Sequence, residues 1–104
     1  MMILATLRNA GKTDTYIFNS SAEYSKVIND PENEILYELP FGLTGKTYEE
    51  KKAALAGVAF EFSTASKEEI HDLSMNELNI IFGWFERNGK RYGLLNEFRE
   101  NAIC

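Results

Sequence analysis

Hydrophobic residues recur along this chain with two different periods, and the changes of period divide it into strand-like and helix-like stretches. Residues 2–8 (MILATLR) and 14–19 (TYIFNS) are rich in β-branched and aromatic side chains and flank a polar, glycine-containing turn, the pattern of an opening hairpin. Ser20 and Glu23 then have the spacing of a capping box, in which each side chain satisfies the other residue's free backbone N–H. Tyr24, Val27 and Ile28 follow on one helical face, and Pro31 lies just past that helix. Residues 34–39 (EILYEL) read as a third strand, PFGLTG as a loop, and Thr47 with Glu50 as a second box opening a helix over 47–56. In VAFEFST, 58–64, Val58, Phe60 and Phe62 alternate with Ala59, Glu61 and Ser63, which predicts a fourth strand with one buried face. Two more boxes, Ser66 with Glu69 and Ser74 with Glu77, open a helical C-terminal third.

The stretch FERNGKRYGLLNEF, 85–98, admits two readings. Asn88-Gly89 is a preferred two-residue hairpin centre, yet glycine after a helical run is also the usual helix stop. A strand reading pairs Phe85 with Tyr92 and Glu86 with Arg91, but interrupts its own face with Gly83 and leaves both faces needing burial. A helical reading puts Leu78, Ile81, Phe82 and Phe85 on one continuous stripe behind a capped start. The periodicity favours helix, with Gly89 as the stop and a last helix over 91–101 carrying Leu94, Leu95 and Phe98. The expected fold is therefore α+β: a small, mainly antiparallel sheet of three or four strands, with helices and a C-terminal helical hairpin. No linker or repeat divides the chain, so residues 1–104 are expected to form a single compact domain.

Composition narrows the function classes. A hydrophobic content of 44% supplies enough apolar surface to offset the entropy of folding, which excludes a disordered chain. Sixteen acidic residues against eleven Lys and Arg leave a formal charge of -5, which disfavours direct binding to nucleic acid or to an anionic membrane and favours a basic partner. The one cysteine, Cys104, cannot form an intrachain disulfide, so a reducing, cytoplasmic location is the simpler reading. No stretch approaches the roughly 20 apolar residues that span a bilayer, and no basic, apolar leader opens the chain.

Candidate chemistry is sparse. Gly11-Lys12-Thr13 and Gly45-Lys46-Thr47 echo the end of a phosphate-binding loop, but Thr6 and Pro40 stand where that loop needs its first glycine, and proline also removes a backbone donor. His71, the one histidine, has Glu68, Glu69 and Asp72 nearby but no second strong metal ligand, and reads as a surface histidine. No nucleophile elbow accompanies the hydroxyls, and Cys104 is a poor nucleophile beside its own carboxylate. Arg87, Lys90 and Arg91 form a basic cluster that reads as a solvated turn, and Trp84 with its aromatic neighbours reads as core. The chain is accordingly expected not to be an enzyme, with no catalytic residue, no cofactor and no metal.

The acidic residues are distributed unevenly. Residues 1–50 hold eight acids against four basic residues, and Asp30, Glu32, Glu34 and Glu38 crowd one short segment, while Glu68, Glu69, Asp72 and Glu77 make a second group. Carboxylates spaced over a rigid surface can occupy the places of phosphates in a basic groove. EILYELPF (34–41), DLSMNELN (72–79) and MILATLRNAGK (2–12) resemble, in the same order, stretches of the ArdA-type antirestriction proteins. That resemblance implies a protein of mobile elements that mimics bent DNA to block restriction enzymes. The expected partner is a nucleic-acid-binding enzyme with a basic groove, contacted through Asp30, Glu32, Glu34, Glu38, Glu68, Glu69 and Asp72. The alternative is a small regulatory or scaffold module that binds another protein through exposed apolar surface. One outcome follows from the missing glycines: calorimetric titration with ATP and magnesium should give no binding, and micromolar affinity would refute the reading of both GKT segments as plain turns.

Overall fold

The computed structural model describes residues 2–66 and 68–103, so Cys104 lies outside the described residues. Two compact units are present, one within 1–41 and 65–73 and the other within 42–64 and 74–104. The fold class is α+β: among the described residues there are a three-stranded antiparallel sheet and four helices.

The first unit contains β1 (Met2–Asn9), β2 (Lys12–Phe18), α1 (Ser21–Ile28) and β3 (Glu34–Phe41). The hairpin between β1 and β2 turns on Ala10 and Gly11, with φ of +52° and +79°, the two positive angles of a type I′ turn. That two-residue turn sets the register Asn9↔Lys12, Leu7↔Asp14, Thr6↔Thr15 and Ile3↔Phe18. The sheet order is β2-β1-β3, so β1 is central, and its residues 3 to 7 are all buried. Ile3, Ala5 and Leu7 face α1 and pack with Tyr24, Phe18 and Val27. Ser20 caps α1 by accepting from Glu23 N–H at 3.2 Å, while the Glu23 carboxylate reaches Asn19 N–H instead of closing the expected box. β3 runs two residues further than the sequence pattern indicates, through Pro40 and Phe41. Proline is tolerated there because β3 is an edge, and Pro40 pairs with Ile3, whose hydrogen bonds run to β2.

The opposite face of the sheet is met by the returning segment at Glu69 and His71. Thr6 donates its hydroxyl proton to the Glu69 carbonyl, Thr6 and Thr15 share a 2.8 Å hydroxyl contact, and His71 N–H donates to the Thr15 hydroxyl at 2.7 Å. Ser66 and Glu69 do form a reciprocal box, with bonds of 3.1 and 3.3 Å. It closes an isolated turn and not the helix the sequence suggests; the backbone leaves the turn to satisfy the two threonines.

The second unit contains α2 (Tyr48–Thr64), α3 (Met75–Tyr92) and α4 (Leu95–Glu100). The fourth strand expected over 58–64 is instead the second half of α2, which also overruns the helix end expected at 56. The buried positions settle the reason. Leu55 and Ala59 are buried four residues apart, and Phe62, three further on, stacks on Phe85 with centroids 5.7 Å apart, a helical face. Phe60, which the strand reading needs inside, is 70% exposed. The alternation of residues 58–63 coincides with a helix that is apolar on several sides, and the alanines at 53, 54, 56 and 59 favour helix over strand.

The helical reading of 75–87 holds, behind the complete capping box of Ser74 and Glu77, but its end lies elsewhere. α3 runs through Asn88-Gly89 without a break and stops at Gly93, whose φ of +72° is left-handed; Leu94 N–H bonds Gly89 C=O at 2.8 Å to close the cap. The last helix accordingly starts at Leu95 and not 91, and is six residues long. Gly89 serves packing. It is buried where α4 crosses, and a Cβ there would lie 3.0 Å from Phe98 Cδ2 and 3.2 Å from Leu95 Cα. The crossing also seats Phe98 edge-on against Phe85 at 5.6 Å.

These two glycines make separable predictions. Gly89→Ala should destabilise by about 1–2 kcal/mol, the overpacking against α4 outweighing alanine's better helix propensity. Gly93→Ala should cost about 1–2 kcal/mol through its left-handed backbone, and Gly93→Asn distinctly less, because asparagine tolerates that region. Urea unfolding of these three variants and of Gly89→Asn checks this; Gly89→Asn as stable as wild type would restore residue 89 as the stop.

Candidate functional site

All seven acidic residues singled out by sequence belong to the first unit. That unit holds nine acidic and four basic residues and the second holds seven of each, so the whole net charge of -5 resides in the first. The seven carboxylates are not equivalent. Asp30 and Glu32 are exposed in the turn between α1 and β3, where the Asp30 carboxylate accepts from Glu32 N–H at 3.0 Å. Glu34 is exposed and forms a 3.4 Å ion pair with Arg8 across the β1–β3 ladder. Glu38 lies on the α1 side of the sheet, where the Tyr24 hydroxyl donates to it at 2.5 Å. Glu69 uses its carboxylate to cap the turn at Ser66. Glu68 and Asp72 are exposed on the segment held to the sheet by Glu69 and His71.

Sheet alternation sorts them further. Ala5 pairs with Glu38 and Arg8 with Glu34, and Ala5 and Arg8 point to opposite faces of β1. Glu34 therefore shares the face that carries residues 65–73, while Glu38 stands on the other. A register shift in β3 between the partners of Thr6 and Leu7 accompanies this division. The acidic segment 30–38 thus wraps the β3 edge and does not form one plane; of the seven carboxylates, Glu38 is bonded to a tyrosine hydroxyl and Glu69 to the turn at Ser66, while Asp30 accepts one backbone bond and Glu34 pairs with Arg8, both on the exposed surface.

Burial of Tyr24, reinforced by its bond to Glu38 and by that carboxylate's charge, pushes the tyrosine hydroxyl well above its ordinary titration range. Tyr24 was legible as core but not as a partner for Glu38. The signal lay in the β1–β3 register, which puts Ala5 and Glu38 side by side on the face that α1 covers. The Thr6–Thr15 pair was likewise readable once the turn is placed at Ala10-Gly11, since the two residues are then opposite each other.

Also on the α1 side lies an open groove of about 610 Å³, floored by Leu7, Phe18 and Val27 and edged by Tyr16, Asn9 and Asn33. Asn9 donates to Asn33 at 2.7 Å, and Asn33 donates to Val27 C=O at 3.1 Å, which ties the turn before β3 to the end of α1. A smaller groove of about 380 Å³ lies in the second unit between α2 and α4, beside Phe60 and Phe98.

Gly11 and Lys12 lie at the β1–β2 hairpin and Gly45 and Lys46 before α2, where Lys46 N–H donates to the Glu50 carboxylate at 2.8 Å, while Thr6 is buried and hydrogen-bonded and Pro40 sits in the edge strand. His71 engages the sheet through its backbone. Arg87, Lys90 and Arg91 are exposed on α3, where Lys90 pairs with Glu86 at 3.8 Å. Among the described residues no group of three or more His, Cys, Asp or Glu is arranged to hold a metal, and no helix is long and apolar enough to cross a membrane. No family model, characterised protein or solved structure matches the chain.

The Tyr24–Glu38 bond gives a pH signature. The folded hydroxyl titrates above its unfolded value of about 10, so its stabilisation is complete below pH 10 and is lost as pH rises beyond it. Tyr24→Phe should therefore be less stable than wild type by about 1 kcal/mol at pH 7. Urea unfolding from pH 7 to 11 should show that difference shrinking above pH 10; a constant difference would remove Tyr24 as the titrating group.

Proposed function

We propose that this chain is a non-enzymatic inhibitor that binds a DNA-handling enzyme of bacterial defence, of the antirestriction or anti-CRISPR kind, and works in the cytoplasm. Its first unit enters the enzyme's basic groove in place of DNA, or covers the active site. The observation that carries this reading is the segregation of charge: -5 on one small unit, with Asp30, Glu32, Glu34, Glu68 and Asp72 exposed, while the second unit has balanced charge. A field of that sign steers a cationic surface toward it and repels nucleic acid. The resemblance of residues 2–12, 34–41 and 72–79 to ArdA-type proteins supports the same class of target. Glu38 and Glu69 contribute charge but are also committed to Tyr24 and to the turn at Ser66, so the contact is assigned mainly to the other five.

A second reading is favoured by the groove beside Tyr16 and Val27, whose apolar floor suits a regulatory or scaffold module that binds a protein partner without charge mimicry.

Charge removal separates the two. Exposed carboxylates contribute only about 0.2–1 kcal/mol each, so single changes should be nearly silent. The combined variant Asp30→Asn, Glu32→Gln, Glu34→Gln, Glu68→Gln and Asp72→Asn should inhibit a restriction or CRISPR-type nuclease about tenfold less well or worse, mainly through slower association. Wild-type inhibition should weaken steeply with salt. Equal, salt-independent inhibition by both proteins would defeat the charge mechanism, and inhibition by neither would transfer the assignment to the apolar module.

A further inference from the structure

We propose that the open edge of β3 is a docking strand, to which an extended cationic segment of the partner protein adds by backbone pairing. The inference rests on the reading of the first unit as an acidic protein-binding surface and names how that surface is engaged.

The sheet has two edges, and they differ. On β2 the central residue Thr15 is only 4% exposed, so that edge is covered at its middle. On β3, Glu34, Ile35, Leu36, Glu38 and Pro40 are all exposed, with Ile35 at 37% and Leu36 at 38%. The two-residue turn at Ala10-Gly11 makes Asn9↔Lys12 a hydrogen-bonded pair, so residues 3, 5, 7 and 9 bond to β2 and residues 2, 4, 6 and 8 turn toward β3. Their partners Phe41, Leu39, Tyr37 and Glu34 are consumed by that ladder. Counting from Tyr37, alternation then turns Glu38 away from β1, with Leu36 beside it at the register shift, and turns the carbonyl of Pro40 to the same side. Pro40 has no N–H and ends the donor series, and the register shift near Leu36 ends it on the other side.

Such an edge invites pairing of any kind unless something selects. Charge makes the selection here. Asp30, Glu32, Glu34 and Glu38 line this edge and the turn before it, so a second copy of the chain would bring carboxylates against carboxylates, while Lys or Arg opposite them is attracted. The exposed apolar side chains of Ile35 and Leu36 give apolar residues of an incoming strand something to cover. Because Glu34 and Glu38 stand on opposite faces of β3, the occupant is an extended segment that carries basic residues on both of its faces and apolar residues between them.

The probe is a synthetic octapeptide in which pairs of lysines alternate with pairs of valines, so that each face carries both, compared with the same peptide N-methylated at every residue, which keeps the charge and cannot form a ladder. NMR of the whole chain should show amide exchange at Leu36 and Glu38 slowed about tenfold or more by the first peptide and not by the second, with affinity for the second about tenfold lower or worse. Leu36→Pro should lose binding to a similar degree; should that variant fail to fold, the methylated peptide still decides. Equal binding of both peptides, protection confined to residues outside β3, or no binding of the first peptide would overturn the proposal. If nuclease inhibition still depends on the five carboxylates in any of those cases, the acidic reading stands and the edge assignment alone falls. Peptide addition to β3 with charge-independent nuclease inhibition would be the reverse.

Discussion

The first unit depends on two buried threonine hydroxyls. Thr6 gives its one proton to the Glu69 carbonyl, so in the 2.8 Å contact with Thr15 it can only accept. Thr15 is then the donor to Thr6, and its remaining lone pair takes the proton of His71 N–H. The result is a one-way relay, His71 N–H to Thr15 to Thr6 to Glu69 C=O, that begins and ends on the same returning segment. Each hydroxyl is spent as both donor and acceptor, and among the described residues no buried side-chain polar atom lacks a partner. Because the hydroxyls are buried, loss of either leaves a neighbour unsatisfied at a cost of about 1–3 kcal/mol, more than the bond itself contributes. The sheet thus needs residues 69–71 as much as they need the sheet. This explains a chain that leaves the first unit after Phe41, builds a long helix, and comes back before beginning the next.

That return has an electrostatic consequence. Residues 65–73 contain three acidic residues and one basic residue, and docking them on the sheet adds their charge to a hairpin-and-helix unit that is already acidic. Had the Ser66–Glu69 box opened a helix continuous with α3, Glu68 and Asp72 would have belonged to the neutral helical unit and the charge would be dispersed. Two neutral hydroxyls, through hydrogen bonds worth little individually, therefore determine where the net charge of -2 on residues 65–73 is displayed.

Much of the fold was legible in the sequence because several levels of signal agreed. At β1 and β2, composition, alternation and a turn with glycine all pointed to a hairpin; at α3, a capping box preceded a stripe of the right period. Errors arose where one signal stood alone. Residues 58–64 alternate by coincidence within a helix whose apolar residues occupy several sides, and only the tertiary partner of Phe62 distinguishes the two periods. Gly89 carries the composition of a stop but is selected by the approach of Phe98 and Leu95, a contact between residues that no local pattern relates. The candidate surface was legible as a list of acids but not as a geometry. Whether Glu34 and Glu38 share a face depends on the register shift in β3, and whether Glu38 is free depends on Tyr24, fourteen residues away.

The short α1 shapes the opposite face for a related reason. A helix of eight residues rises about 12 Å, and β1 and β3 are each eight residues long, which at strand rise is about twice that. One such helix cannot roof the sheet. Tyr24 and Val27 therefore cover Ile3, Ala5 and Leu7, while Tyr16 and Ile35, outside the helix's reach, stay partly in water and leave the groove beside Val27. Lengthening α1 is prevented locally: after Ile28 the Asn33 side chain binds the Val27 carbonyl, and Pro31 cannot continue a helix. The same turn that ends α1 carries Asp30 and Glu32 to the head of β3. Helix termination, the uncovered apolar face and the forward placement of the acids are three results of one local choice of backbone at residues 29–33.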